Sequence, residues 1–198
     1  MNIIKSPRDR YLSEVKGGGL NIVSKQAKYF KDKYLKETYA TNSIRELKIG
    51  QIYTYRYDPK YKDVLDYYDT NPLTLVYNAW YSKSGTFLYT GINLHFLPVE
   101  VKLQVIELYW KYFYRFGGTK LAKVLPYTYS KFFKTILKQM NKIDYVFAIR
   151  TYIVDRITTP IEVPETDWGK IPLWKPTFIN GKTLDDIYNE YYTKQNRK

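Results

Sequence analysis

Apolar residues recur along this chain in two periods, and the architecture changes where the period changes. Over residues 21–39, Val23, Ala27, Phe30 and Tyr34 fall at steps of 4, 3 and 4, the spacing of one helix face. Gly17, Gly18 and Gly19 stand before it as a flexible break. In 51–57 (QIYTYRY), Tyr53, Tyr55 and Tyr57 alternate with Ile52, Thr54 and Arg56, and Asp58-Pro59 ends the run; that is a strand followed by a turn. Segments 73–81 (LTLVYNAWY) and 86–96 (TFLYTGINLHF) predict two more strands around the hairpin loop Ser82-Lys83-Ser84-Gly85. Pro98 opens a helix whose face carries Leu103, Ile106, Trp110 and Phe113, and Gly117-Gly118 stops it. Behind Ser130 as N-cap, Phe132, Phe133, Ile136, Leu137 and Met140 predict a helix over 130–142. Residues 145–157 read as a further strand. Pro160, Pro164, Pro172 and Pro176 then predict an irregular segment carrying Trp168 and Trp174, before a short helix over 184–192.

These elements predict one α+β domain: a small, strongly bent antiparallel sheet or SH3-like small barrel from 49–96 and 145–157, flanked by helices near 98–116 and 130–142. Residues 1–44 read as a basic N-terminal arm with a helix, 45–160 as the core domain, and 161–198 as a wrapping C-terminal tail. At 198 residues the chain is long enough for one substantial core. Trp168 and Trp174 would anchor a partner or clamp the tail onto that core, and the clamp suits a tail otherwise poor in regular structure.

Charge adds a second layer of information. The formal net charge is +13, an imbalance that costs self-repulsion in a compact chain and points to a polyanionic partner. The excess sits in two blocks: residues 1–48 carry 11 basic and 5 acidic side chains, and residues 111–150 carry 9 basic against the single acid Asp144. Lys25, Lys28, Lys31 and Lys36 lie largely off the apolar stripe of the first helix. Lys131, Lys134, Lys138 and Lys142 follow at steps of 3, 4 and 4 along one side of the 130–142 helix, with no acid between them. Like charges one turn apart cost about 0.2–0.5 kcal/mol per pair, so a single-sign row stands out from a mixed surface; the second row reads equally as a phosphate-binding ridge or a solvated face, and the first row taken alone reads rather as a solvated face. The chain also has 23 tyrosines against 9 phenylalanines, a composition that suits protein joints and base stacking and that an AT-rich genome would equally produce.

Catalytic options narrow quickly. With no cysteine, disulfides, thiolate nucleophiles and cysteine-ligated metals are excluded. His95 is the sole histidine; it reads as a strand residue on the face opposite Leu94. Gly117-Gly118-Thr119-Lys120 lacks the spacing and preceding strand of a phosphate loop and reads as a helix stop. Asp63, Asp66 and Asp69 read as turn-forming acids rather than cation ligands. The chain is therefore expected to have no catalytic, cofactor or metal site and not to be an enzyme. Neither a signal peptide at the N-terminus nor a bilayer-spanning run of about 18 apolar residues is present, which predicts a protein made in a cytoplasm with no membrane partner.

Two ordered motifs carry a resemblance. The first runs Ile49-Gly50-Gln51-Ile52-Tyr53, Tyr55-Arg56-Tyr57-Asp58-Pro59-Lys60-Tyr61-Lys62-Asp63-Val64-Leu65, then Tyr67-Tyr68-Asp69 and Pro72-Leu73; the second is Gly91-Ile92-Asn93-Leu94-His95-Phe96-Leu97. Together they resemble the T4-like tailed-phage DNA end protector family, whose pattern is a Lys/Arg-rich arm, G-x-L-Y-x-F-x-Y-D-P-K-x-K-x-x-L-P-Y-Y-D-x-x-P-L and a later G-[LI]-N-L-H-Y-L. Asp66 stands where the family has proline, Phe96 replaces a tyrosine, and the segment from Trp80 to Gly91 lacks the family's D-G-F-L-G run. His95 recurs in that family motif, where a hydrogen bond stabilising a turn or sheet end is the expected role.

The resemblance implies a phage virion protein that binds double-stranded DNA without sequence specificity at the genome terminus, in end protection and head completion. It would reside in the host cytoplasm during assembly and then in the virion. Lys25, Lys28, Lys31, Lys36, Lys131, Lys134, Lys138 and Lys142 are the candidate phosphate ligands, with Tyr67 and Tyr68 as candidate base-stacking residues. The alternative is a structural assembly protein of the neck, tail or baseplate that meets other virion proteins through its tyrosine-rich strands, with virion symmetry leaving room for an oligomer.

Overall fold

The computed structural model describes residues 5–18, 21–35, 47–115, 133–136, 138, 145–174 and 179–195. Helix α1 (Pro7–Gly18) starts where Ser6 and Asp9 bond reciprocally: the Ser6 hydroxyl accepts from the Asp9 N–H at 3.1 Å and donates to its carboxylate at 3.0 Å. Pro7, lacking an N–H, suits the first helical position. Gly17 and Gly18, expected as a break, form the end of this helix. Helix α2 (Ile22–Phe30) follows and continues as a π-helical turn, Lys31–Leu35.

A five-stranded antiparallel sheet forms the centre, in the order β5-β4-β3-β1-β6. Its members are β1 (Ile52–Tyr57), β3 (Leu73–Tyr81), β4 (Phe87–Asn93), β5 (Ile149–Ile153) and β6 (Ile157–Glu162). The strand expected over 145–157 is thus a 3-10 turn, Val146–Ala148, then β5, then a second 3-10 turn, Val154–Arg156, leading into β6. A short pair, β2 (Tyr68–Asp69) with β7 (Ile179–Asn180), fastens the C-terminal segment beside the first motif.

The sheet curls hard. Tyr55 of β1 and Tyr152 of β5 are three strands apart, about 14 Å on a flat sheet, yet their rings meet edge to face at 5.4 Å. Register shifts after Val76 in the β3–β4 ladder and after Thr54 in the β1–β6 ladder bend the strands. The expected bent sheet is present, but the barrel is not closed: β5 and β6 are joined by three residues and do not pair. Tyr57 fills that seam, its hydroxyl accepting from the Ile153 N–H at 3.3 Å and its ring 5.0 Å from Tyr152.

Much of the tyrosine excess lines the concave side. Tyr53, Tyr55, Tyr89 and Tyr152 are buried there with Val76 and Leu47. Their polar tips hold the fold: Tyr55 donates to Thr74 at 3.0 Å, while Tyr53 and Tyr89 accept the N–H groups of Lys48 and Leu47. Burial raises the phenols of Tyr53, Tyr55 and Tyr152, that of Tyr53 to about 12, so these three remain protonated at neutral pH.

The convex side carries the larger core, with Ile52, Leu73, Leu75 and Ile92 packed under the helices. Helix α3 (Val99–Arg115) contributes Val105, Ile106 and Tyr109. Phe133 and Ile136 enter the same cluster from helical residues 133–136. The C-terminal segment is clamped there too: Trp168 and Trp174 are both buried, as the clamp reading expects. Trp168 donates to the Val163 carbonyl at 3.1 Å, and Trp174 stacks on Phe30 of α2 at 4.0 Å. Helix α4 (Leu184–Gln195) begins with a reciprocal Thr183–Asp186 cap and reaches the core through the Tyr188 hydroxyl, bonded to the Phe96 carbonyl at 3.0 Å.

Candidate nucleic-acid interface

The lysines of the N-terminal block stand on a docked helix. Phe30 and Tyr34 bury one side of α2 against Trp174, which leaves Lys25, Lys28 and Lys31 exposed. Docking is reinforced by a buried carboxylate, Asp167, in the 3-10 turn Glu165–Asp167. It accepts from Lys33 at 2.6 Å, from Tyr29 at 2.9 Å, from Lys170 at 3.2 Å and from the Tyr34 hydroxyl. Burial pushes the Asp167 carboxyl up, but the bonds from Lys33, Tyr34 and Tyr29 outweigh it and hold the group below the usual carboxylate range. For Lys33, burial pulls the ammonium down and the bonds to Asp167 and Tyr29 more than reverse this. Lys33 and Lys170 are therefore structural cations, distinct from the exposed row.

In the second block, Lys134 and Lys138 are exposed while Phe133 and Ile136 are buried in the convex core. Lys36, Lys131 and Lys142 lie outside the described residues. Both helical segments dock on the convex side of the sheet, so their lysines project from one helical layer. Among the described residues, no ion pair joins Lys25, Lys28, Lys31, Lys134 or Lys138 to a carboxylate.

The two expected stacking tyrosines are placed differently from an open platform. Tyr67 is half-buried, edge-on to Phe96 at 5.5 Å, with the Arg150 guanidinium 4.7 Å from its ring centroid. A base would have to displace that guanidinium. Tyr68 is half-buried in β2 opposite Asn180. Sequence reasoning missed more exposed rings: Tyr61, Trp80 and Tyr81. Their signal was present for the hairpin pair, because the acid-free run from Thr70 to Val99 contains a single lysine, Lys83.

The motif residues themselves form a buried polar knot. Asp69 accepts from the Asn71 N–H at 2.9 Å and from Asn93 Nδ2 at 3.1 Å, and lies 2.8 Å from His95 Nδ1. Asn93 Oδ1 in turn caps the 3-10 turn Leu94–Phe96 by accepting the His95 N–H at 3.0 Å. His95 is therefore in a turn rather than a strand, and its bond ties the first motif to the end of β4. Gly91 belongs to the same construction: a Cβ there would lie 2.3 Å from Thr74 Cγ2 and 2.7 Å from the Leu75 carbonyl oxygen. Among the described residues, no group of three or more histidines and acids is placed to hold a metal ion, and no helix is long and apolar enough to cross a membrane.

A basic helical layer on a bent sheet is a general device. The motif knot, in contrast, is specific, and a family model described as phage T4 terminal DNA protecting protein matches residues 1–182. The chain belongs to that family. The match extends the resemblance carried by residues 45–100 over the docked N-terminal helices and the tryptophan clamp, so both are part of the family unit. No curated protein and no solved structure matches the chain.

Proposed function

We propose that this chain is a virion protein that binds double-stranded DNA at the genome terminus, without sequence specificity and without catalysis, in end protection and head completion. Family membership over residues 1–182 is the observation that carries this reading. The exposed lysines supply the chemistry: an ammonium presented from a rigid helix makes phosphate contacts that fix position but do not read bases. If Lys25, Lys28, Lys31, Lys134 and Lys138 each neutralise one phosphate, they contribute about 4.5 to the slope of log K against log salt on duplex DNA. Over a fourfold rise in salt that slope alone corresponds to roughly 500-fold in affinity.

Changing these five lysines together to glutamine tests the assignment, because each is exposed and the fold does not depend on it. The slope is expected to fall by about 0.9 for each phosphate no longer neutralised, with an unchanged unfolding temperature. Undiminished binding by a folded variant would reduce both rows to solvated faces. A second reading, assembly into the neck, tail or baseplate, is favoured by the loop after β1, where Tyr61, Val64 and Leu65 are exposed among charges of both signs. Absence of DNA binding by the wild type would select that reading.

A further inference from the structure

End protection requires more than phosphate contacts, because phosphates repeat along a duplex and only its terminus exposes the face of a base pair. We propose that the tip of the β3–β4 hairpin is the element that meets that face, with Tyr81 stacked on the terminal base pair and Lys83 beside the adjoining phosphate. This rests on the DNA-binding reading above.

Tyr81 is the most exposed aromatic ring among the described residues, at 70 %. It is not loose. Its inner face stacks on Phe87 at 4.6 Å and 25°, and Phe87 in turn packs on Tyr89 at 5.2 Å. The outer face is presented by a ring already held in place, which lowers the entropy lost on stacking. Trp80, 42 % exposed on the opposite face of the hairpin, is fixed by its Nε1–H to Thr90 Oγ1 at 3.1 Å. The turn is rigid as well: Ser82 and Thr86 exchange bonds at 2.8 and 3.0 Å, and Gly85 takes φ +80° to close it.

Charge separates this patch from the other exposed aromatic rings, Tyr61 and Tyr192. The Tyr61, Val64 and Leu65 loop is interleaved with Asp58, Asp63 and Asp66, and Tyr192 shares α4 with Asp185, Asp186 and Glu190. Those carboxylates repel phosphates. Residues 70–99, in contrast, contain no acid at all, and Lys83 at the tip is exposed. Two acids from neighbouring elements, Asp58 and Asp155, line a groove with Thr86, and Arg56, Lys60 and Arg156 accompany them there.

The test compares binding of the full chain to a blunt duplex and to the same duplex closed at both ends by hairpin loops. Stacking on a base is expected to give the wild type roughly a tenfold to hundredfold preference for the open ends. Tyr81→Ala should bring the preference towards one while leaving affinity for the closed duplex and its salt slope unchanged. Trp80→Ala provides a second variant, and unfolding temperatures establish that both remain folded. A preference retained by both variants overturns the hairpin as the platform while leaving DNA binding intact. A wild type that binds the two substrates equally overturns end stacking itself, and one that binds neither overturns the DNA reading on which it rests.

Discussion

Replacing Asp167 by asparagine removes the charge that fastens α2 to the C-terminal segment. The carboxylate is 3 % exposed and gathers two ammonium groups and two phenols. Breaking a buried ion pair by deleting one partner costs about 3–5 kcal/mol. Lys33 and Lys170 retain 37 % and 24 % exposure and can turn to water, and the amide oxygen of asparagine still accepts from Tyr29 or Tyr34. The expected loss is therefore near the lower limit, about 3 kcal/mol, or roughly 6–12 °C in unfolding temperature for a chain of this length. The assay is thermal unfolding followed by tyrosine and tryptophan fluorescence, with exposed Asp155→Asn as the control. The folded carboxyl lies below its ordinary value, so its stabilisation is present above about pH 4 and lost as pH falls through the folded value. The gap between wild type and variant should narrow as pH drops below about 4. An unfolding temperature equal to that of the control at pH 7 would show that Asp167 does not anchor α2.

Gly91→Ala should destabilise by about 3 kcal/mol, because the new methyl meets the Leu75 backbone as well as a flexible Thr74 side chain; urea unfolding measures it. Thr183→Ala removes the α4 cap and should cost about 1 kcal/mol in the same assay, with DNA binding unaffected.

The strands that obey a clean period were legible in the sequence. The run 73–81 coincides with β3, and 51–57 differs from β1 by a single residue. Helix α3 was marked by Pro98 and its apolar face. The misses have local causes. Edge strand β6 contains Pro160 and a left-handed Thr159 at φ +48°, which break alternation, and such residues are tolerated there because one side of β6 is unpaired. Helix α1 carried a readable start, Ser6-Pro7 with Asp9 three residues after the serine, but its terminal glycines suggested a break.

The candidate site was less legible because it depends on long-range packing. The lysine rows follow from periodicity, and the described members are exposed as a basic outer face requires. What covers Tyr67 is Arg150, far along the chain, and no local pattern announces that contact. The same holds for Asp69 and His95, 26 residues apart, whose pairing emerges only once β2 lies against the end of β4. Conversely, Tyr81 protrudes because strand β3 outruns its buried portion, so its last residues keep strand geometry without a core to cover them.

Shielding of duplex termini by this protein is measured most directly by parallel digestion of one linear duplex with an exonuclease and with an endonuclease across a titration of the protein. Protection from the exonuclease is expected at roughly tenfold to hundredfold lower protein concentration than protection of internal sites. Equal protection of ends and interior would contradict end recognition, leaving a basic protein that coats DNA without sensing where it stops.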